Sequence, residues 1–195
     1  MQHMVLTSAK TLVKIADDSE LLDTWCEIAE TVSNALKKGK KLIIAGNGGS
    51  AADAQHLAAE FVVKFSSMRP AMRAIALTTD SSILTAAGND LGFSKVFSRQ
   101  IEAIGNAGDV FLAISTLGNS DNIIQALRTA SEMQLITIGL TGSSGGMMKP
   151  LCDKCICVPS TTTSHIQEAH LVLEHALCAI VERLHSSDRP DTCKH

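Results

Sequence analysis

The stretch KLIIAGNGGSAADAQHLAAE, residues Lys41–Glu60, changes character at its middle. Lys41–Ala45 is a short apolar run of strand length. Gly46-Asn47-Gly48-Gly49-Ser50 is turn sequence, and the following residues predict a helix over Ala51–Phe65. Four more apolar runs follow, at Ala74–Leu77, Val110–Ile114, Leu135–Leu140 and Cys155–Val158. Helical stretches at Phe93–Ile104 and Asn122–Met133 lie between them. Strands alternating with helices predict an α/β fold, a doubly wound five-stranded parallel sheet flanked by helices on both faces.

Outward from this core (41–160), residues 1–40 read as an N-terminal helical segment. Leu21, Leu22, Trp25, Ile28, Ala29, Val32, Ala35 and Leu36 form a stripe, and Lys37, Lys38 and Gly39 supply its stop. Residues 161–186 hold a final helix, Ser164–Leu184, with apolar residues on more than one stripe. Such a helix is buried on several sides, so both terminal helices are expected to contact other subunits. The polar tail, 187–195, is expected to fray. The whole is a single domain.

The chain has 195 residues, of which 45% are hydrophobic and 19% charged. That apolar content excludes intrinsic disorder, and the low charge suggests a covered surface. A net charge of −3 gives no broad basic face for nucleic acid. With aromatics at 3%, base or sugar stacking is poorly provided for. No apolar run approaches the roughly 18 residues that span a membrane, and Met1–Lys14 lacks a secretory signal's apolar stretch. A reduced, cytoplasmic protein is the expectation. Cys152, Cys155 and Cys157 lack a second ligand pair for zinc, and read as buried structural cysteines.

Two loops carry chemistry. Gly46–Ser50 lies between a strand and a helix, where glycines let backbone approach a ligand and the helix start offers free N–H groups to an anion. The spacing matches neither a Walker motif nor a dinucleotide fingerprint; a plain strand-to-helix turn fits it as well. Ser115-Thr116-Leu117-Gly118-Asn119-Ser120 repeats the arrangement with hydroxyls suited to phosphate oxygens, or to a helix cap. His56 and Glu60, four apart on the first helix, share a face. Gln167 and His175, eight apart on the last helix, stand about 12 Å apart along its axis. His165 and His170 compete with them. Asn89 and Asp90 suit sugar hydroxyls or a turn.

In combination, GNGGSAADAQHLAAE (Gly46–Glu60), GND (Gly88–Asp90), STLGNS (Ser115–Ser120) and IQEAHLVLEH (Ile166–His175) resemble the phosphoheptose isomerase family of the sugar isomerase (SIS) superfamily. The resemblance covers nearly the whole chain. It implies that Asn47, Gly48 and Gly49, in the loop closed by Ser50, bind substrate, as do Asn89 and Asp90. Ser115, Thr116, Leu117 and Ser120 match its phosphate loop. Leu117 departs from the family's usual STSGNS, losing a hydroxyl and keeping the backbone N–H. His56, Glu60, Gln167 and His175 match the ligands of one zinc ion per subunit, and Glu60 and His175 the acid/base pair. Glu60 and Gln167 also fall among the substrate contacts.

The family is similar in being a cytoplasmic homotetramer with sites between subunits, feeding heptose into lipopolysaccharide core or related glycans. The implied reaction interconverts sedoheptulose 7-phosphate and D-glycero-D-manno-heptose 7-phosphate through an enediol. A carboxylate suits removal of a proton beside a carbonyl. A bound zinc ion would polarise that carbonyl. The alternative is a non-catalytic SIS protein that binds a phosphosugar or the DnaA initiator. That branch lacks the residues standing here as Glu60 and His175, which favours the enzyme.

Overall fold

Each predicted apolar run becomes a strand: β1 Leu42–Gly46, β2 Ala74–Ala76, β3 Val110–Ser115, β4 Ile136–Gly142 and β5 Lys154–Val158. The computed structural model describes residues 1–186; the predicted frayed tail lies outside the described residues. The strands form one sheet in the order β2-β1-β3-β4-β5, and every pairing is parallel. The helices are α1 Gln2–Ala16, α2 Ser19–Lys37, α3 Gly49–Val62, α4 Ser81–Asp90, α5 Ser98–Ile104, α6 Asp121–Glu132 and α7 Thr163–Ser186.

Alternation along β1 explains the two layers of helices. Leu42 and Ile44 point to one face, where they join Trp25, Ile28, Leu57, Phe61, Leu173 and Leu177 from α2, α3 and α7. Ile43 and Ala45 point to the other, with Val96, Phe97, Ile101, Ile123 and Leu127 on the side of α5 and α6. A strand buried on both faces needs an unbroken apolar run, and β1 and β3 are buried throughout.

The terminal helices depart from expectation in part. The N-terminal segment is two helices, divided at Asp18, whose carboxylate accepts from the Leu21 N–H at 3.0 Å and caps α2. The stripe of α2, apart from Leu22, is largely consumed within the chain. Trp25 is 2% exposed, and its Nε1–H donates to the Leu173 carbonyl of α7 at 2.9 Å. The apolar residues of these helices still facing outward include Met4, Val5, Leu6 and Val13 of α1, Leu22 of α2, and Leu171 and Val172 of α7. The long helix α7 also buries His170, Glu174 and Glu182.

Three local readings are corrected. First, α3 ends at Val62, not Phe65. The Glu182 carboxylate of α7 accepts the N–H groups of Phe65, Ser66 and Ser67 at 3.4, 3.1 and 3.1 Å, so those groups are not free to extend α3. Second, Phe93–Ile104 is a short 3₁₀ turn, Phe93–Lys95, followed by α5. Val96 and Phe97 between them drop into the core. Third, Cys152, Cys155 and Cys157 are half-buried, because β5 is an edge strand; Cys178 is buried and Cys26 exposed.

Candidate active site

The strand order reverses at β1. The chain leaves β1 toward β2 on one side, and β3 returns on the other. Loops leaving the carboxyl ends of β1 and β3 therefore diverge and leave a crevice between them, where open α/β sheets bind ligands. Those two loops are Gly46–Ser50 and Ser115–Ser120.

The glycine loop turns sharply into α3. Gly48, just before the helix, has φ +56°, a backbone state that side chains disfavour. A Cβ on Gly49 would meet Gln167 Nε2 at 2.3 Å, so the bare backbone lets α7 approach the loop. The first N–H groups of α3 have no intrahelical partner and suit an anion. Ser50 is buried beneath the loop.

The second loop is set by its own bonds. Ser115 Oγ and Ser120 Oγ lie 3.1 Å apart, and Ser120, although at the cap position of α6, makes no side-chain cap bond. The Thr116 carbonyl accepts from the Gly142 N–H at 3.0 Å, holding the loop to β4. Leu117 is 57% exposed and offers the loop no hydroxyl. Asn119 Oδ1 accepts the Met147 N–H at 2.9 Å. Asn47 and Asn122 exchange two amide hydrogen bonds, at 2.8 and 2.9 Å, and join the loops across the crevice. Sequence reasoning missed Asn122; an amide in the first turn of a helix, beside a hydroxyl-rich loop, was the available signal.

Helices α3 and α7 run side by side in the same direction. Gly49 meets Gln167, His56 meets His175, and the segment after α3 meets Glu182, in ascending order on both. His56 Nε2 and His175 Nε2 are 2.9 Å apart, and Glu60 Oε1 is 3.7 Å from His56 Nε2. Thus His56, Glu60 and His175 come together. Gln167 does not join them directly: α7 is regular there, and Gln167 stands about two turns away, at the glycine loop. Asn89 and Asp90 form the exposed last turn of α4; Asn89 donates to Asp90 at 2.7 Å, and neither bonds to the loops.

Two imidazoles presenting nitrogen to one another beside a carboxylate are a donor set of the right chemistry for Zn²⁺. Among the described residues, no three His, Cys, Asp or Glu side chains already converge as a metal cradle.

Two polar features escaped the sequence. Behind the crevice, Glu174 is fully buried and neither of its carboxyl oxygens has a protein partner. Burial pushes it up to about 8, with the Asp53 charge adding to the effect. Burial likewise holds His170 down at about 4, its Nε2 lying 3.3 Å from the Thr141 carbonyl. The second feature is Arg69. It donates to the Glu60 and Phe61 carbonyls at 2.7 and 2.9 Å and to Glu182 Oε1 at 3.0 Å. It thereby satisfies carbonyls that the end of α3 leaves free.

Residues 14–142 match the SIS domain family. The chain is 54% identical to phosphoheptose isomerase 2 of Campylobacter jejuni, over 87% of this chain and 84% of that one. It is 53% identical to the phosphoheptose isomerase of Aneurinibacillus thermoaerophilus, over 86% and 85%. Among solved structures, it is similar to phosphoheptose isomerase GmhA from Neisseria gonorrhoeae, with a TM-score of 0.87, 40% identity and coverage of 93% and 96%. A phosphoheptose isomerase from Francisella tularensis gives a TM-score of 0.89 at 34% identity, with the same coverage.

Proposed function

Since the chain belongs to the phosphoheptose isomerase family of SIS-domain proteins, we infer that it is an aldose–ketose isomerase of a seven-carbon sugar phosphate. Its reaction interconverts sedoheptulose 7-phosphate and D-glycero-D-manno-heptose 7-phosphate through an enediol. The observation that carries this reading is the meeting of His56, Glu60 and His175 beside two loops tied together at the sheet's switch point.

The first N–H groups of α3 and the hydroxyls of Ser115, Thr116 and Ser120 hold the phosphate. The phosphate then anchors the far end of the sugar, so remote binding energy orients the reacting end. Glu60 takes the proton from the carbon beside the carbonyl and returns it to the neighbouring carbon. His175 moves the proton on oxygen. Asn47 keeps one amide N–H beyond those used on Asn122, available to a sugar hydroxyl. Asn89 and Asp90, exposed and bonded to each other, are assigned to sugar hydroxyls as well. Incubation with sedoheptulose 7-phosphate tests the reading. Aldoheptose phosphate should appear, and binding without turnover would favour the regulator instead.

One zinc ion per subunit is the proposed cofactor: His56, Glu60 and His175, which meet, would hold it, with Gln167, two turns away at the glycine loop, as the fourth ligand that the family resemblance implies, and the ion would polarise the substrate carbonyl. Glu60 would have one carboxylate oxygen for the ion and the other for the substrate proton. Protein purified without chelator should carry about one zinc per chain, and the His56→Ala/His175→Ala double variant should carry none. Equal zinc in both proteins, or zinc lost only when the cysteines are replaced, would place the metal elsewhere.

The outward apolar residues of α1 and α7 support a homotetramer with sites between subunits. Light scattering at micromolar concentration should return four times the chain mass; a monomer removes the idea. No described helix is long and apolar enough to cross a membrane, and a cytoplasmic location fits the free thiols.

A further inference from the structure

Three thiols stand together at the edge of the sheet away from α3. Cys155 and Cys157 share one face of β5 by the two-residue period of a strand. Cys152 ends the 3₁₀ turn Lys149–Leu151 that leads into β5. Gly139 of β4 pairs in register with Cys155. A Cβ on Gly139 would meet Cys152 Sγ at 2.7 Å and Cys155 Sγ at 2.8 Å, so both sulfurs sit in the notch this glycine leaves. Hydrogen bonding with Cys152, and burial, push the Cys155 thiol up to about 12. Cys155 and Cys157 line an open cavity of about 240 Å³ together with Lys149, which gives small molecules access.

The same turn is fastened to the phosphate loop. Cys152 Sγ–H donates to the Met148 carbonyl at 3.3 Å, and the Met148 N–H donates to the Gly118 carbonyl at 3.0 Å. The neighbouring Met147 N–H holds Asn119. Gly146 lies so close to this loop that a Cβ there would meet the Leu117 carbonyl at 2.4 Å. Any movement of Cys152 therefore reaches Leu117–Asn119 through two or three contacts.

We propose that Cys152 and Cys155 form a reversible thiol–disulfide site whose closure shifts the phosphate loop and weakens phosphate binding. Only the functional consequence rests on the sugar-phosphate reading above. The co-reactant is hydrogen peroxide. One sulfur attacks the O–O bond and becomes a sulfenic acid, and the departing oxygen leaves as water with the thiol proton. The second sulfur then displaces the hydroxyl of the sulfenic acid, which leaves as a second water with the second thiol's proton. Two electrons pass from the sulfurs to the peroxide. Cys157 is the poorer partner for Cys155. Two residues apart on a strand, their Cα atoms are held near 6.6 Å, at the upper limit for a disulfide, whereas Cys152 lies on a turn that can move. The protonated state of Cys155 at neutral pH makes closure faster at pH 9 than at pH 7.

The test treats the full chain with hydrogen peroxide, alkylates the remaining thiols and maps peptides by mass. A Cys152–Cys155 cross-linked peptide is expected, reversed by dithiothreitol, absent in Cys155→Ser and Cys155→Ala, and retained in Cys157→Ser. Inorganic phosphate should bind the oxidised protein about fivefold or more weakly than the reduced one, a readout independent of turnover. Sulfinic acids without a cross-link, or a cross-link to another cysteine, overturn the site. A closed disulfide with unchanged phosphate affinity overturns the coupling. Failure of the isomerase assay alone would count against the proposed reaction and leave both of these readouts intact.

Discussion

Glu60→Gln is expected to lower kcat by about 10²–10⁴-fold, the range lost when a positioned general base is removed. The amide keeps the size and much of the hydrogen bonding of the carboxylate but does not accept the substrate proton. Glu60 lies near the end of α3 with its side chain 22% exposed, so the exchange creates no buried cavity and should leave the fold unchanged. KM should move far less than kcat, because the proposed phosphate contacts are made by other residues. Steady-state kinetics beside a thermal melt checks this. A variant that keeps more than half of the wild-type kcat would show that Glu60 is not the base.

Arg69→Met is expected to cost about 3–5 kcal/mol of stability, the usual result of stranding one member of a buried ion pair. Arg69 and Glu182 side chains are 6% and 5% exposed and lie 3.0 Å apart. A fall in melting temperature of roughly 10 °C or more should follow. Acid reaches the same pair from the other side. Burial alone would raise the Glu182 carboxyl, but the hydroxyl and N–H of Ser66 and the N–H groups of Ser67 and Phe65 outweigh it and hold it down at about 2, against an ordinary 4.5. A carboxyl lowered by folding contributes its full stability above about 4.5 and loses it as pH falls toward 2. That window should cost the wild type on the order of 3 kcal/mol. Denaturant melts at pH 5 and pH 3 should therefore diverge less in Glu182→Gln than in the wild type. Parallel losses in both proteins would remove Glu182 from the account.

The strands were legible because a sheet covered on both faces leaves continuous apolar runs, and such runs end where backbone turns toward solvent. The glycine and hydroxyl loops were legible for the same reason, since they punctuate those runs. His56 with Glu60 followed from helical spacing, which is local. The meeting of His56 with His175 did not, because it depends on α3 and α7 lying parallel, 119 residues apart in sequence. Arg69 was invisible for a related reason. Three of its partners lie on two helices, and only their packing shows that a basic residue in a loop closes the end of α3. The division of Phe93–Ile104 was missed because apolar residues in a helical pattern also suit a segment that dips into the core.

The reciprocal amide pair between Asn47 and Asn122 has a thermodynamic consequence for the crevice. Each amide uses its oxygen and one N–H on the other, so both are fixed in one orientation before any ligand arrives. The conformational entropy of bringing two loops to a set separation is thus lost once, during folding, and not again at every encounter with substrate. The width of the crevice becomes a property of the apo protein. Ligand binding to such a preorganised cleft proceeds with little loop ordering, and a substitution at Asn122, which need touch no substrate atom, returns that ordering cost to the binding step.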